Sequence, residues 1–191
     1  MDKGEILETY LYIEMKDYVI SCHSCQEYLL VKPSYKFDGC SLISGLFKCL
    51  FLDFLGPFPA SKSGFKYILV IVDQLSRFPF LFPCKSQTSE VVVEALDKYV
   101  IPLASLPENL MVDGGSCFTS PKFEEYCERL NIKLNINIAY QPEWMGAVET
   151  VNRVVRYSLA KTCEQQYDFW DKFIPGILLG LRVKVSSATG C

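Results

Sequence analysis

The sequence predicts an α/β fold built on a mixed sheet, and three observations carry that expectation. Apolar runs at 47–54, 67–73 and 78–82 come first, with the short second connection suiting antiparallel neighbours. A helix–strand–helix–strand alternation then runs from about residue 88 to residue 138. Half of the 191 residues are hydrophobic, enough for a substantial core and too many for a disordered chain.

Each element has a local reason. Residues 8–21 read as a helix, with Leu11, Met15, Tyr18 and Val19 at helical spacing, and Cys22-His23-Ser24-Cys25 follows. Pro33, Ser34, Gly39, Ser41, Ser44 and Gly45 mark a linker over 32–45. The connection after the first apolar run holds Gly56, Pro57, Pro59 and Gly64. Thr88 or Ser89 is placed to cap the next helix, with Glu90 in its first turn. Val91, Val92, Ala95, Leu96 and Tyr99 form its apolar stripe, and Pro102 and Pro107 are expected to end it. Residues 109–112 read as a short buried strand. Ser120-Pro121 opens a further helix, with Ser as cap and Pro at the first helical position, and Phe123, Tyr126, Cys127 and Leu130 facing inward. Residues 133–138 alternate as a strand, and a loop over 139–145 leads into a helix over 146–163. A last helix is expected over 169–184, with Pro175 near its first turn and Gly176 and Gly180 allowing close packing.

Composition excludes several classes. The apolar stretches are too short or too interrupted to span a bilayer, so no membrane partner is expected. The first residues lack the basic-then-apolar pattern of a signal peptide. The nine cysteines therefore read as reduced thiols of a cytosolic or nuclear protein. The net charge of -3 is unevenly spread. After Glu149, six basic residues stand against Glu164, Asp168 and Asp171, giving +3 and leaving -6 for the rest. That basic end suits a nucleic-acid surface, and equally suits a pair of ordinary solvated helices.

Three acids hold the chemical information. Asp53 lies near the end of the first apolar run, and Asp113 ends the 109–112 run just before Gly114-Gly115. Glu149 sits in the helix over 146–163, with thirty-five residues between it and Asp113. Singly, such acids are commonly turn formers, caps or solvated groups. Brought together, ionised carboxylates repel by roughly 4 kcal/mol per close pair at an effective dielectric near 20, a cost that bound cations offset. On the Glu149 helix, Val148, Val151, Val155 and Leu159 form one face. Glu149, Asn152, Arg153 and Arg156 form another.

This order and spacing resemble the D,D,E triad of retroviral and retrotransposon integrases, and the surrounding phrases do too. Asp53-Phe54-Leu55-Gly56-Pro57-Phe58-Pro59 is similar to the family's first-strand phrase D-F-x-G-P-L-P. Tyr67 to Asp73 with Ser76-Arg77-Phe78, and Phe118-Thr119-Ser120 after the second acid, resemble further family phrases. Trp170, Pro175 and Ser187-Ala188-Thr189-Gly190 resemble the tail of the core in Ty3/gypsy-type elements.

The resemblance implies a ribonuclease H-like fold, a five-stranded mixed sheet flanked by helices. It implies Asp53, Asp113 and Glu149 as catalytic residues and as ligands of two Mg2+ or Mn2+ ions, hard cations that take oxygen donors. It implies DNA as partner, both element ends and target. The implied activity is 3′-end processing and strand transfer, by a homo-oligomer acting in the nucleus after a cytoplasmic stage. Asn152, Arg153, Arg156 and Gln141 are the candidate nucleic-acid contacts. The core is expected over 45–191, and residues 1–38 read as a remnant of the family's His-His-Cys-Cys zinc domain. Cys22 and Cys25 would be its zinc ligands, but His23, the only histidine, lies between them, so the four-ligand set is incomplete.

The chain departs from the family where the third acid is introduced. Tyr140-Gln141-Pro142-Glu143-Trp144-Met145-Gly146 stands where Y-H-P-Q-S-N-G is usual, and Asp113-Gly114-Gly115 where Asp-Asn-Gly is common. Residues supporting a metal site commonly carry ten- to a hundred-fold of its activity. A second reading is therefore a catalytically impaired or domesticated integrase-like domain that binds nucleic acid or protein. A third is a ribonuclease H-like nuclease, which would share the triad but not the Phe118-Thr119-Ser120 and Trp170 phrases. The chain stops where family sequences normally continue, and reads as a C-terminally truncated core, from a polyprotein or a decayed element copy.

Overall fold

The computed structural model describes residues 45–136, 142–163 and 167–183, with side chains in the 142–163 helix described from residue 148. The expectations for the helix over 8–21, for Cys22 and Cys25, and for Gln141 lie outside the described residues.

Five strands form one sheet: β1 (Cys49–Leu55), β2 (Tyr67–Asp73), β3 (Pro79–Cys84), β4 (Asn109–Val112) and β5 (Lys133–Ile136). Their order is β3-β2-β1-β4-β5. The first three run antiparallel in sequence, while β4 and β5 join parallel to β1 and to each other. The early apolar runs thus form the meander and the later alternation adds the parallel half. β1 and β2 read as nearly continuous apolar runs because both sheet faces are covered.

One face carries α1 (Ser89–Ala95) and α2 (Pro121–Arg129). There Leu50, Leu52, Leu69, Ile71 and Phe80 of the sheet pack with Val92, Leu96, Val100, Phe123 and Tyr126. The other face carries α3 (Pro142–Cys163) and α4 (Trp170–Val183). There Phe51, Leu55, Ile68, Val70 and Val72 pack with Val148, Val151, Val155, Leu159, Trp170 and Ile174. The predicted valine face of α3 is the buried one.

Three local details were not given by the sequence. α1 continues through a π-helical turn, Leu96–Val100, and a further turn, Ile101–Leu103, and ends between the two prolines expected to end it. Pro102 has no N–H to offer the carbonyl four residues back, and the ladder widens just ahead of it, with the Ile101 N–H donating to Leu96 O. Thr88 precedes α1 but its side chain makes no capping bond, whereas Ser120 Oγ does accept from the Phe123 N–H at 3.4 Å. α3 starts at Pro142, inside the stretch expected to be a loop, because proline is favoured at a first helical position.

Candidate active site

The strand register brings the first two acids to neighbouring positions. In the parallel β1–β4 ladder Leu52 lies opposite Val112, so Asp53 and Asp113 follow on the next rung. Parallel neighbours lie about 4.8 Å apart. Side chains alternate along a strand, and Phe51 and Leu55 belong to the core beneath α3 and α4. Asp53 therefore points to that face, and Asp113 follows Met111, which packs against the same core.

Each carboxylate is held locally. Asp53 Oδ1 accepts from the Phe54 N–H at 2.7 Å, and Oδ2 accepts from Asn152 Nδ2 at 2.6 Å. Asp113 Oδ1 accepts from the Gly115 N–H at 3.0 Å. A Cβ on residue 115 would lie 2.9 Å from that same oxygen, so a larger residue here would have to shift the Asp113 carboxylate. The turn beyond is fixed by Phe118, whose buried ring lies 5.6 Å from Phe54 and 6.1 Å from Phe123. Thr119 Oγ1 donates to Gly115 O at 3.3 Å. Phe118-Thr119-Ser120 thus serves the second acid by locking the loop that carries it.

α3 brings the third acid's row alongside. Glu149, Asn152 and Arg156 stand at i, i+3 and i+7, so they form one row along the helix. Asn152 touches Asp53, which places that row over β1. Glu149 is exposed one turn before it, and Arg156 is exposed one turn after it. Arg153 is half-buried, and its Nε is buried without a hydrogen-bond partner, as is Asn152 Oδ1.

Burial pushes the Asp53 carboxyl above its usual range, and the Asp113 charge pushes it further; the Phe54 N–H, the Asn152 amide and the Arg156 charge oppose the rise. An acid that is costly to ionise, beside a second acid on the same rung, is a donor set suited to a hard divalent cation. Among the described residues no three His, Cys, Asp or Glu side chains converge closely enough to hold a metal. The structure thus couples Asp53 and Asp113, and sets Glu149 on the adjoining row without closing the triad.

Two neighbours escaped sequence reasoning. Asn152, a candidate nucleic-acid contact, also donates Nδ2 to Asp53; the i+3 spacing from Glu149 is the available signal. Cys117 sits close enough to Asp113 and Asp53 for both charges to add to the burial that raises its thiol pKa. Among the described residues, Cys49, Cys84, Cys117, Cys127 and Cys163 are free and buried. Asp73, which also ends an apolar strand, is structural: fully buried, it accepts from Phe47 N–H at 2.9 Å, Ser76 N–H at 2.7 Å and Ser76 Oγ at 2.6 Å.

An antiparallel three-strand meander extended by two parallel strands, with helices on both faces and acids where the central strand's parallel ladder ends, defines a ribonuclease H-like domain. Within that class the chain belongs to the integrase core domain family, whose model matches residues 47–142. It is 34% identical over 122 residues, 64% of this chain, to the Gag-Pol polyprotein of avian reticuloendotheliosis virus. It is 27% identical over 179 residues, 92% of this chain, to the Transposon Tf2-3 polyprotein of Schizosaccharomyces pombe. The chain spans 11% and 13% of those two polyproteins. A solved HTLV-2 integrase catalytic core domain, in complex with magnesium in a trimeric form, shares the fold with a TM-score of 0.60 at 23% identity. That match covers 75% of this chain and 91% of the other.

Proposed function

We propose that this domain binds DNA and carries out metal-dependent 3′-end processing and strand transfer. The observation that carries the reading is the nearness of Asp53 and Asp113 just past the β1–β4 ladder, with Asn152 of the Glu149–Asn152–Arg156 row bonded to Asp53. In processing, water would attack a phosphodiester near an element end, the P–O bond would break and a free 3′ hydroxyl would remain. In joining, that hydroxyl would attack a target phosphodiester, forming a new P–O bond as the target strand's own is broken. Asp53, Asp113 and Glu149 would hold two Mg2+ or Mn2+ ions. When bound, such ions activate the attacking oxygen and stabilise the leaving one.

The chain's other residues would position the DNA. Arg156 is exposed one turn from the carboxylates and is placed to meet a phosphate. Arg153, half-buried beside it on α3, is the second candidate for a phosphate contact. Self-association is part of the proposal, supported by the trimeric form of the HTLV-2 core. So is work in the nucleus after a cytoplasmic stage, which a chromosomal target would require. No helix among the described residues is long and apolar enough to cross a membrane.

One observation favours the impaired-domain reading instead: the three acids do not converge among the described residues. A strand-transfer assay on labelled oligonucleotides with Mn2+ decides. The parent chain is expected to give joined products, and Asp113→Asn to lose at least about a hundred-fold of that activity. Equal, background-level joining by both, with DNA binding retained, would establish the impaired domain.

A further inference from the structure

We infer that Lys62, Lys66 and Lys85, with the exposed rings of Tyr167 and Phe169, form a surface that holds an unpaired DNA strand at the carboxylate end of the sheet. The inference rests on the DNA-processing reading above and names a further partner of its site, the strand that trimming leaves single. Removing nucleotides from a 3′ end leaves the facing 5′ end without its complement, beside the carboxylates.

Backbone register gathers the lysines. Asp53 pairs with Val70, and further toward that end of the sheet Leu55 pairs with Ile68 and Tyr67 with Cys84. Lys66 and Lys85 are the next residues out, and the Lys66 N–H donates to Cys84 O at 3.0 Å. The Lys85 side chain turns back over the β1–β2 connection, its Cε 3.7 Å from where a Cβ on Gly64 would stand. Lys62 lies in that connection, inside the turn that the Gly64 N–H closes on Ser61 O at 2.8 Å. All three lysines are exposed, and among the described residues none of them has an ion pair. Residues 54–72 and 74–89 contain no Asp or Glu. Like charges brought together in this way repel, and a bound anion offsets that cost.

The rings decide which form of DNA fits. The Lys62 N–H donates to Asp168 O at 2.8 Å, which brings the short 3-10 turn Tyr167–Phe169 against the connection. Lys62 Nζ lies 4.4 Å from the centroid of the Phe169 ring. Tyr167 is 55% exposed and Phe169 37%. A base inside a duplex is already stacked on its neighbours, whereas an unpaired base is free to lie on such a ring while cations follow its backbone. Two acids border the surface. Asp171 is buried and bonded to Ser63 Oγ, and the exposed Asp168 is outnumbered by the three lysines. From Val70 to Lys66 is four residues of strand, roughly 14 Å, the length of about four stacked nucleotides.

Fluorescence anisotropy on the full chain, without divalent cation, compares a blunt duplex with the same duplex carrying a 5′ overhang of about four thymidines. The parent is expected to bind the overhang duplex about ten-fold more tightly, within the range that one base stacked on an aromatic ring gives. The overhang should also steepen the log–log salt dependence by about 2, at about 0.7 for each lysine–phosphate contact on a single strand. Lys66→Ala with Lys85→Ala, and Tyr167→Ala with Phe169→Ala, are each expected to bring the two affinities together. Lys66→Arg with Lys85→Arg, and Tyr167→Phe with Phe169→Tyr, are expected to keep them apart. Tyr167→Ala alone serves if the double ring variant melts early. Equal affinity of the parent for the two DNAs, or a preference that survives either alanine pair, overturns the surface. Strand transfer by the parent would in that case leave the DNA-joining reading standing. No binding of either DNA overturns both.

Discussion

Asp53 is a residue whose surroundings conflict with its charge. Burial and the neighbouring Asp113 raise its pKa, and three weaker influences fail to bring it back. A carboxyl that holds its proton more tightly folded than unfolded contributes stability fully present below its unfolded pKa, about 3.9, and lost as pH rises through the raised folded value. The cation-free domain therefore carries a penalty at neutral pH that is absent in acid. Asp53→Asn removes the charge and keeps a group that can pair with Asn152. It is expected to raise the melting temperature at pH 7.5, by about 2–4 °C for each kcal/mol relieved, with the gain vanishing near pH 4. Paired thermal melts at the two pH values check this; a pH-independent shift would place the effect in packing instead. The acid itself was legible as the polar interruption of an apolar strand. Its hydrogen-bond partner was not, because nothing local to either segment says that residues ninety-nine apart will meet.

At the scale of elements, the connection after β1 and the start of α4 form a clasp that explains why distant sequence phrases occur together. Trp170 Nε1 donates to Pro59 O at 2.8 Å, and its ring lies 5.1 Å from that of Phe58. Ser63 Oγ donates to Asp171 Oδ2 at 2.9 Å, and the Lys62 N–H donates to Asp168 O at 2.8 Å. Gly56 opens the connection at a φ of 135°, where a Cβ would come within 2.8 Å of Lys66 O. The clasp ties the strand carrying Asp53 to the layer containing α3 and α4. Trp170→Ala is expected to cost about 3–5 kcal/mol in urea unfolding. Trp170→Phe, which keeps most of the apolar area and loses the N–H, should cost about 1–2 kcal/mol. Equal losses would mean that the hydrogen bond, not the packing, fastens the clasp. Periodicity found α3's valine face because tertiary packing follows the same period. It missed the π turn before Pro102: the stripe read from the sequence runs through Leu96 and Tyr99, whereas the π turn buries Val100 and leaves Tyr99 exposed.

At the scale of the whole molecule, charge has to be weighed against the proposed partner. A chain with a net charge of -3 gains nothing from bulk attraction to DNA, so any affinity must come from a few placed cations. The sequence showed the surplus after Glu149 but not which members of it face the carboxylates. That depended on the β1–β4 register and on the Asn152 contact, both long-range facts. Arg156 is the cation whose charge is felt at Asp53, and Arg153 sits beside it on α3. Two phosphate contacts would give a shallow salt dependence, a slope of about -1.8 in log affinity against log salt on duplex DNA. Fluorescence anisotropy on a labelled duplex between 50 and 200 mM salt would then show roughly a twelve-fold loss of affinity. Arg156→Ala should weaken binding across all duplex sequences alike and reduce the slope by about 1. A slope left unchanged by that substitution would mean the DNA path lies away from the carboxylate rung, and the reading of Asp53 and Asp113 as the centre of a DNA-joining site would fail with it.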